Sequence, residues 1–422
     1  MKITILATGS RGDVQPFVAV GFGLQQAGHE VTFVSNAHFE TWVHSYGLNF
    51  RPVHWNAQAA LQTEQGQRMV QSGRMLEVIR YFLQEVPRHI AQLQLESWAA
   101  CQDAEILFYS LLSSWGYDIA EKLKIPSLPG LLHPLIPTRA FPTQFLRVNL
   151  GGPLNLMTHY FTEQAFWQVV RRPTNTFRQQ VLSLPPFRFP ETLFSVLRRQ
   201  RCPLLCSLSP TVIARPPDWP EWVQMKGYWF LPAPAEWQPL ADLVNFIQSG
   251  PAPVYVGFGS MTNQAAAAMG RLVVKALRLS GQRGVLVRGW GSLGVGEVAD
   301  DIFFLDEAPH DWLFPQMAAV VHHGGAGTTA AGLHAGVPAV IVPHMQDQPY
   351  WGQRVYEMGV GPRPIPYGKL TAEKLAQHIT MAVRSQVIRD RAEQMGRKIR
   401  REDGVGQAIE VIEHYAGPDR HL

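Results

Sequence analysis

Charge and cysteine are what this chain has least of. Only 17% of its 422 residues are charged, and 37 basic against 33 acidic side chains leave a formal +4. That excess is too small to argue for a nucleic-acid partner. Low charge beside 46% hydrophobic residues also excludes a disordered chain. The three cysteines, Cys101, Cys202 and Cys206, are too few for a disulfide-stapled scaffold and suit a reducing compartment. Cys202 and Cys206 have no second ligand pair nearby, so no metal site is expected. No apolar run approaches the ~18 residues that cross a bilayer. After Met1-Lys2 the apolar stretch Ile3–Ala7 gives way at once to Ser10-Arg11-Gly12-Asp13. A secretory signal needs a longer apolar core, so the start predicts a first strand in a cytoplasmic protein.

What is present is a strand–helix rhythm. At ~150 residues per domain the length predicts two or three domains. Ile3–Ala7 reads as a buried strand, Thr8–Asp13 as a loop, and the next stretch as a helix with Pro16 in its first turn, apolar Phe17, Val20 and Leu24 at helical spacing, and Gly28 as its stop. Val31–Ser35 follows as a strand, which completes a parallel βαβ unit. Ile106–Tyr109 and Leu204–Ser209 read as further strands, and Gln58–Ala100 as helical with a break at Pro87. From Pro210 to Pro239 the density of proline predicts a connector. The rhythm then restarts with strands at Val254–Phe258, Gly284–Arg288, Ile302–Leu305, Ala318–Val321 and Ala339–Val342, helices at Ala265–Leu279 and Thr328–Ala335, and a helical tail over Thr371–Tyr415. The predicted layout is a domain over residues 1–230, a linker over 231–240, a second domain over 241–395, and a C-terminal helix and tail over 396–422 packing back on the first domain. Tandem parallel-sheet domains of this kind face each other across a cleft, with ligands beyond the carboxyl ends of the strands.

Three loops at strand ends can carry chemistry. In His322-His323-Gly324-Gly325-Ala326-Gly327-Thr328-Thr329 the glycines let backbone N–H groups approach a ligand, and a helix N-terminus points the same way. The pattern is either an anion site suited to phosphate or a tight turn packing helix on sheet. It lacks the Gly-Lys-Ser/Thr of P-loop NTPases. In His344-Met345-Gln346-Asp347-Gln348-Pro349, Asp347 either caps a helix or joins Gln348 in holding sugar hydroxyls. In Gly9-Ser10-Arg11-Gly12-Asp13, Asp13 either caps the helix or serves as a base facing the cleft. The run Gly294–Ala299 fits a dinucleotide pattern only loosely, because no strand precedes it.

These loops, together with Gly257-Phe258-Gly259-Ser260-Met261 and Ala308-Pro309-His310-Asp311-Trp312-Leu313-Phe314, resemble the sterol 3β-glucosyltransferase-type nucleotide-sugar glycosyltransferases and their kin, the bacterial antibiotic glycosyltransferases. The likeness covers almost the whole chain and is weakest over 51–201. It implies the α/β GT-B fold, with two facing Rossmann-like domains, the acceptor on the N-terminal one and the nucleotide sugar on the C-terminal one. It implies an inverting, metal-independent transfer of a hexose, glucose in most members, from UDP-sugar to a hydroxyl of an apolar acceptor such as a sterol, another terpenoid or lipid, or a polyketide. The UDP-sugar is a co-substrate, and no cofactor is implied. Carried over by motif, Asp13 is the catalytic base. His323, Gly324, Gly325, Ala326, Gly327 and Thr328 hold the diphosphate, and Asp347 and Gln348 hold the sugar. Ser260 lines the donor cleft, His310 and Trp312 fall in the base-binding region, and Ser10, Arg11 and Gly12 join the donor contacts. Plant relatives carry a glutamate where Ala331 stands here, eight residues after His323, and a catalytic histidine in the first loop where Asp13 stands. UDP therefore follows from the branch, with dTDP the other candidate.

Two other readings stay open on sequence. A UDP-sugar epimerase shares this architecture without an acceptor, and a non-catalytic lipid- or sugar-binding relative would keep the fold alone. Over 139–201, nine arginines meet no lysine and only Glu163 and Glu191. That block is either a solvated basic face or a surface for peripheral contact with anionic membrane.

Overall fold

Strands buried on both faces and running the same way form the centre of each half. The structure, a computed structural model, describes residues 1–54, 86–146, 148–258, 263–287, 300–344 and 347–417. They fall into two units, Met1–Leu231 with Asp403–Leu422, and Pro232–Glu402.

In the first unit β1 (Lys2–Leu6), β2 (Glu30–Asn36), β3 (Asn49–Val53), β4 (Ile106–Ser110), β5 (Ser127–Leu131), β6 (Leu204–Ser207) and β7 (Val223–Gly227) make one sheet in the order β3-β2-β1-β4-β5-β6-β7. Every described pairing between these strands is parallel. The order reverses at β1 and β4, so the loops that follow these two strands flank the crevice where such sheets bind ligands. Helix α1 (Arg11–Gln26) packs its Phe17 ring against Phe108 and Trp229, at centroid distances of 5.1 and 5.5 Å. Gly130 leaves the room for it: a Cβ there would lie 2.5 Å from the Phe17 ring.

Three strands depart from the sequence expectation, each for a stated reason. β3 contains Pro52, and it is an edge strand, where a missing N–H is tolerated. β5 contains Pro129, which precedes the first β5–β6 partner at Gly130 and so costs that ladder no bond. β7 sits inside the proline-rich connector, in the window between Pro220 and Pro232 that has no proline, and is the other edge. Of the helix expected over Gln58–Ala100, only α2 (Val86–Ala100) lies within the described residues, with Pro87 near its start; the stretch before it, and so the expected break, lies outside them.

In the second unit β8 (Val254–Gly257), β9 (Gly284–Val287), β10 (Ile302–Leu305), β11 (Ala319–His322) and β12 (Ala339–Ile341) form a parallel sheet in the order β10-β9-β8-β11-β12, which reverses at β8 and β11. The sequence boundary at 396 is corrected. The helix Gln386–Ile399 stays in the second unit, where Gly396 approaches Gly336 so closely that a Cβ would meet its Cα at 2.7 Å. The chain returns to the first unit at Asp403, whose carboxylate accepts the Gly406 N–H (2.9 Å) and caps the last helix, Gly404–Ala416. That helix crosses α1 at Gly23, where a Cβ would lie 2.8 Å from both Val405 and Ile409.

The three cysteines are buried and free, and burial pushes each thiol up to about 12, so they are inert packing groups. No helix among the described residues is long and apolar enough to cross a membrane.

The arginine block is not uniformly solvated. Arg178 is buried, with Nη1 donating to Asp118 (2.5 Å) and Glu121 (2.8 Å), Nε donating to the Pro185 carbonyl (2.7 Å), and the guanidinium 4.3 Å from the Phe187 ring centroid. Arg178→Met should destabilise the first unit by about 3 kcal/mol, because it strands the buried Asp118 carboxylate. Adding Asp118→Asn should recover part of that loss. Equilibrium urea unfolding followed by tryptophan fluorescence checks both, and an Arg178→Met midpoint equal to wild type would refute the account.

Candidate functional site

In the first unit the chemistry lies where β1 runs into α1. Gly9 adopts φ +131°, and a Cβ there would sit 2.8 Å from Asp13 Oδ2, so only glycine fits. Its N–H donates to Asn36 Oδ1 at the end of β2 (3.0 Å). The Thr8 N–H donates to Ser113 Oγ (3.1 Å), and the two hydroxyls lie 2.9 Å apart. Asn36, Thr8 and Ser113 are all buried. The loop after β1 is therefore wired to the carboxyl ends of β2 and β4 through a satisfied polar floor.

The helix begins at Arg11, earlier than the sequence suggests, so Pro16 lies inside it rather than in its first turn. Asp13 is consequently not the N-cap. Ser10 occupies that position, and Asp13, three residues on, accepts both the Ser10 N–H (2.8 Å) and the Ser10 hydroxyl (2.7 Å) on Oδ2. These two donors fix the carboxylate at the sheet's carboxyl edge, half-exposed. The Arg11 guanidinium lies 4.8 Å from the Trp42 ring centroid, and Gly12 is exposed, where a Cβ would make an ordinary contact with Ser10 Oγ at 3.7 Å.

In the second unit two loops meet. After β11 the chain runs through His323, Gly324 and Gly325 into the helix Ala326–Ala335, two residues earlier than expected. Gly325 is its N-cap and supplies no side chain. The N–H groups of Ala326, Gly327 and Thr328 occupy the first three helical positions, where no intrahelical acceptor exists. Gly324 has φ +91°, and a Cβ would lie 2.7 Å from Ile341 and 3.1 Å from the Gln348 carbonyl oxygen. The glycine therefore lets the loop after β11 touch the Asp347-Gln348 loop. His322 is fully buried, and its Nδ1 accepts the Gly324 N–H (3.1 Å), which leaves the ring proton on Nε2.

Asp347 is at the N-cap position of the helix Gln348–Glu357, yet its side chain does not cap it. Its Oδ2 accepts the indole N–H of the buried Trp351 (2.8 Å). Gln348 Oε1 accepts the His344 N–H (2.8 Å). The His344 ring lies 6.0 Å from that of Phe258, nearly parallel at 27°, which brings the end of β8 to the same place. Burial pushes His344 down to about 4, with His323 adding to the effect. His323 is also lowered by burial, although Asp347 pulls it back in part. His323 is thus a neutral donor in the ligand-free protein. His323 Nδ1 and His344 Nε2 are buried without a hydrogen-bond partner among the described residues.

His310 stacks on Phe314 (4.2 Å, 17°), and Trp312 packs edge-on to Trp237 (5.3 Å). Ser260 lies outside the described residues. Among the described residues no three His, Cys, Asp or Glu side chains gather into a metal-ligating cluster. The sequence reading missed Asn36, Ser113, His344, Trp351 and Trp237. A polar residue closing an apolar strand was the available signal for Asn36 alone.

The comparisons with known proteins agree with this layout. Residues 3–142 match the glycosyltransferase family 28 N-terminal domain, and residues 290–404 match the erythromycin biosynthesis protein CIII-like C-terminal domain. The sterol 3-beta-glucosyltransferase of Emericella nidulans is 36% identical over 98% of this chain, and that of Cryptococcus neoformans 35% over 98%. The chain spans 30% and 27% of their respective lengths. Among solved structures, the calicheamicin glycosyltransferase CalG4 superposes with a TM-score of 0.67 at 18% identity, covering 99% of this chain and 98% of that one. Glycosyltransferase VinC, solved with DTDP, gives 0.67 at 17% identity with 99% of each chain covered. With both models matched in order on a GT-B pair of parallel-sheet units, the chain carries a glycosyltransferase family 28 N-terminal domain followed by an erythromycin-biosynthesis-CIII-like C-terminal domain, and it is similar over nearly its whole length to the sterol 3-beta-glucosyltransferases.

Proposed function

We propose that the chain is an inverting hexosyltransferase that moves glucose from UDP-glucose to a hydroxyl of an apolar acceptor. The observation that carries the proposal is the junction at Gly324, where a helix N-terminus with unpaired N–H groups and His323 adjoins the Asp347-Gln348 pair. Anionic leaving group and sugar hydroxyls would be held side by side there. The names of the curated relatives support glucose and a sterol-like acceptor.

The reaction divides between the two units. On the first, Asp13 takes the proton of the acceptor hydroxyl as its oxygen bonds to the anomeric carbon. The Ser10 donors orient the carboxylate for that step. On the second, the anomeric C–O bond breaks and the electron pair leaves with the diphosphate. Fixed N–H dipoles at Ala326, Gly327 and Thr328 meet the growing charge without reorganising. His323 donates to the same oxygens, a bond strengthened because the acceptor is ionised. Asp347, steadied by Trp351, and Gln348 hold the sugar. No step requires a metal.

Asp13→Asn should reduce glycoside formation by roughly 10²–10⁴-fold while UDP affinity stays at the wild-type level. Product chromatography and UDP titration calorimetry on the same preparation check this, and near-normal turnover at neutral pH would remove Asp13 from the role.

His323→Ala should weaken UDP binding and slow transfer together, and wild-type transfer should persist in EDTA. If activity is lost with chelator and returns with magnesium, the leaving-group account is wrong. Incubation with donor alone separates transfer from epimerisation: a new nucleotide sugar in the absence of any acceptor would sink the proposal.

A further inference from the structure

The helix Gly152–Thr176 presents an outward stripe at Leu154, Met157, Phe161, Ala165, Gln168 and Arg172, the spacing of one helical face. Its first three members are large and apolar, and they are 53%, 63% and 78% exposed. Ten of the nineteen large apolar side chains that stand exposed among the described residues fall between 145 and 189. Exposed apolar surface concentrated in this way marks an interaction site.

Loose packing does not account for the exposure. The buried Asn155 donates to the carbonyl of Arg139 (3.2 Å) and to Asn149 Oδ1 (2.8 Å), and the buried His159 pairs with the Phe141 carbonyl (3.0 Å). The preceding loop is pinned to one side of the helix while the other side stays open. Nor does the stripe line a pocket, since a pocket covers its lining and Phe161 is nearly four-fifths exposed.

Charge is segregated at the same place. Over 139–201, nine arginines stand against two glutamates; Arg178 is buried against Asp118 and Glu121, and the other eight still outnumber the two glutamates. Both glutamates are already taken, Glu163 by Arg198 (2.7 Å) and Glu191 by Arg199 (2.8 Å). Arg172 continues the apolar stripe, the Arg171 guanidinium lies 5.8 Å from the exposed Phe189 ring, and Arg188 and Arg201 are exposed nearby in sequence.

We infer that this face docks on an anionic lipid bilayer, with Leu154, Met157 and Phe161 entering the headgroup–acyl boundary and the arginines meeting lipid phosphates. A bilayer offers an apolar layer beneath a uniformly negative one, which matches apolar residues rimmed by a single sign of charge. A second copy matches poorly, because a two-fold contact would set one arginine rim against another. The inference goes beyond the proposed reaction and does not depend on it.

Co-sedimentation with phosphatidylcholine vesicles, with and without phosphatidylglycerol, reads this without any turnover. Wild type should pellet with anionic vesicles at low salt, and release should follow added salt. Leu154→Gln/Met157→Gln/Phe161→Gln should lower the partition about tenfold or more at every salt concentration. Since all three side chains are exposed, its melting temperature should match wild type. Arg172→Gln/Arg188→Gln/Arg201→Gln should lower it by about fivefold for each arginine at the surface and flatten the salt dependence. The inference is overturned if wild type stays in the supernatant with anionic vesicles at low salt. Equal binding of the apolar triple variant overturns it too, as does a concentration-dependent dimer that this variant abolishes without changing vesicle binding.

Discussion

Parallel pairing is the constraint from which the rest of this structure follows. When every strand of a sheet runs the same way, every strand-to-helix loop leaves from one edge, and every following helix turns its N-terminus toward that edge. Both sheets here are parallel, and both reverse their order at the first strand of the unit, β1 with β4 and β8 with β11. The loops after those strands cannot be covered by a neighbouring crossover. Asp13 lies there after β1, Ser113 after β4, and His323 to Thr328 after β11.

That edge would be costly if its polar groups were left unmet, and the two units meet the cost differently. The first builds a closed floor, in which Asn36, Thr8 and Ser113 satisfy one another and the backbone, and Asp13 rests on Ser10. The second leaves groups open. The leading N–H groups of its helix have no intrahelical acceptor, and His323 Nδ1 and His344 Nε2 have no hydrogen-bond partner among the described residues. The first unit thus holds one carboxylate in a fixed pose, and the second presents buried ring nitrogens without partners among the described residues.

Glycine controls the second site by absence. At Gly324 the missing Cβ permits contact with Ile341 and the Gln348 backbone, so the loops after β11 and β12 act together. Gly327, by contrast, faces open space and owes nothing to steric need within the chain. Asp347 illustrates the same economy of positioning: it stands where a cap would stand, but its carboxylate is turned to the Trp351 indole.

The sequence alone determined the α/β class, the two-unit order, most central strands and the loops that carry the family motifs. It could do so because buried parallel strands are continuous apolar runs and because glycine at a strand–helix junction is a local requirement. It did not determine β3, β5 and β7, since whether a proline is tolerated in a strand depends on which neighbour that strand lacks. It also left Asp13 open between cap and base, because whether Ser10 or Asp13 caps the helix rests on where α1 begins. The protonation of His323 and the partner of Asp347 were likewise out of reach, for burial and long-range hydrogen bonds are properties of packing. The arginine block shows the limit most directly. In sequence its nine members are equivalent, but the fold buries Arg178 against Asp118 and leaves Arg172 at the end of an exposed apolar stripe, because one turn of helix faces the core and the next faces out.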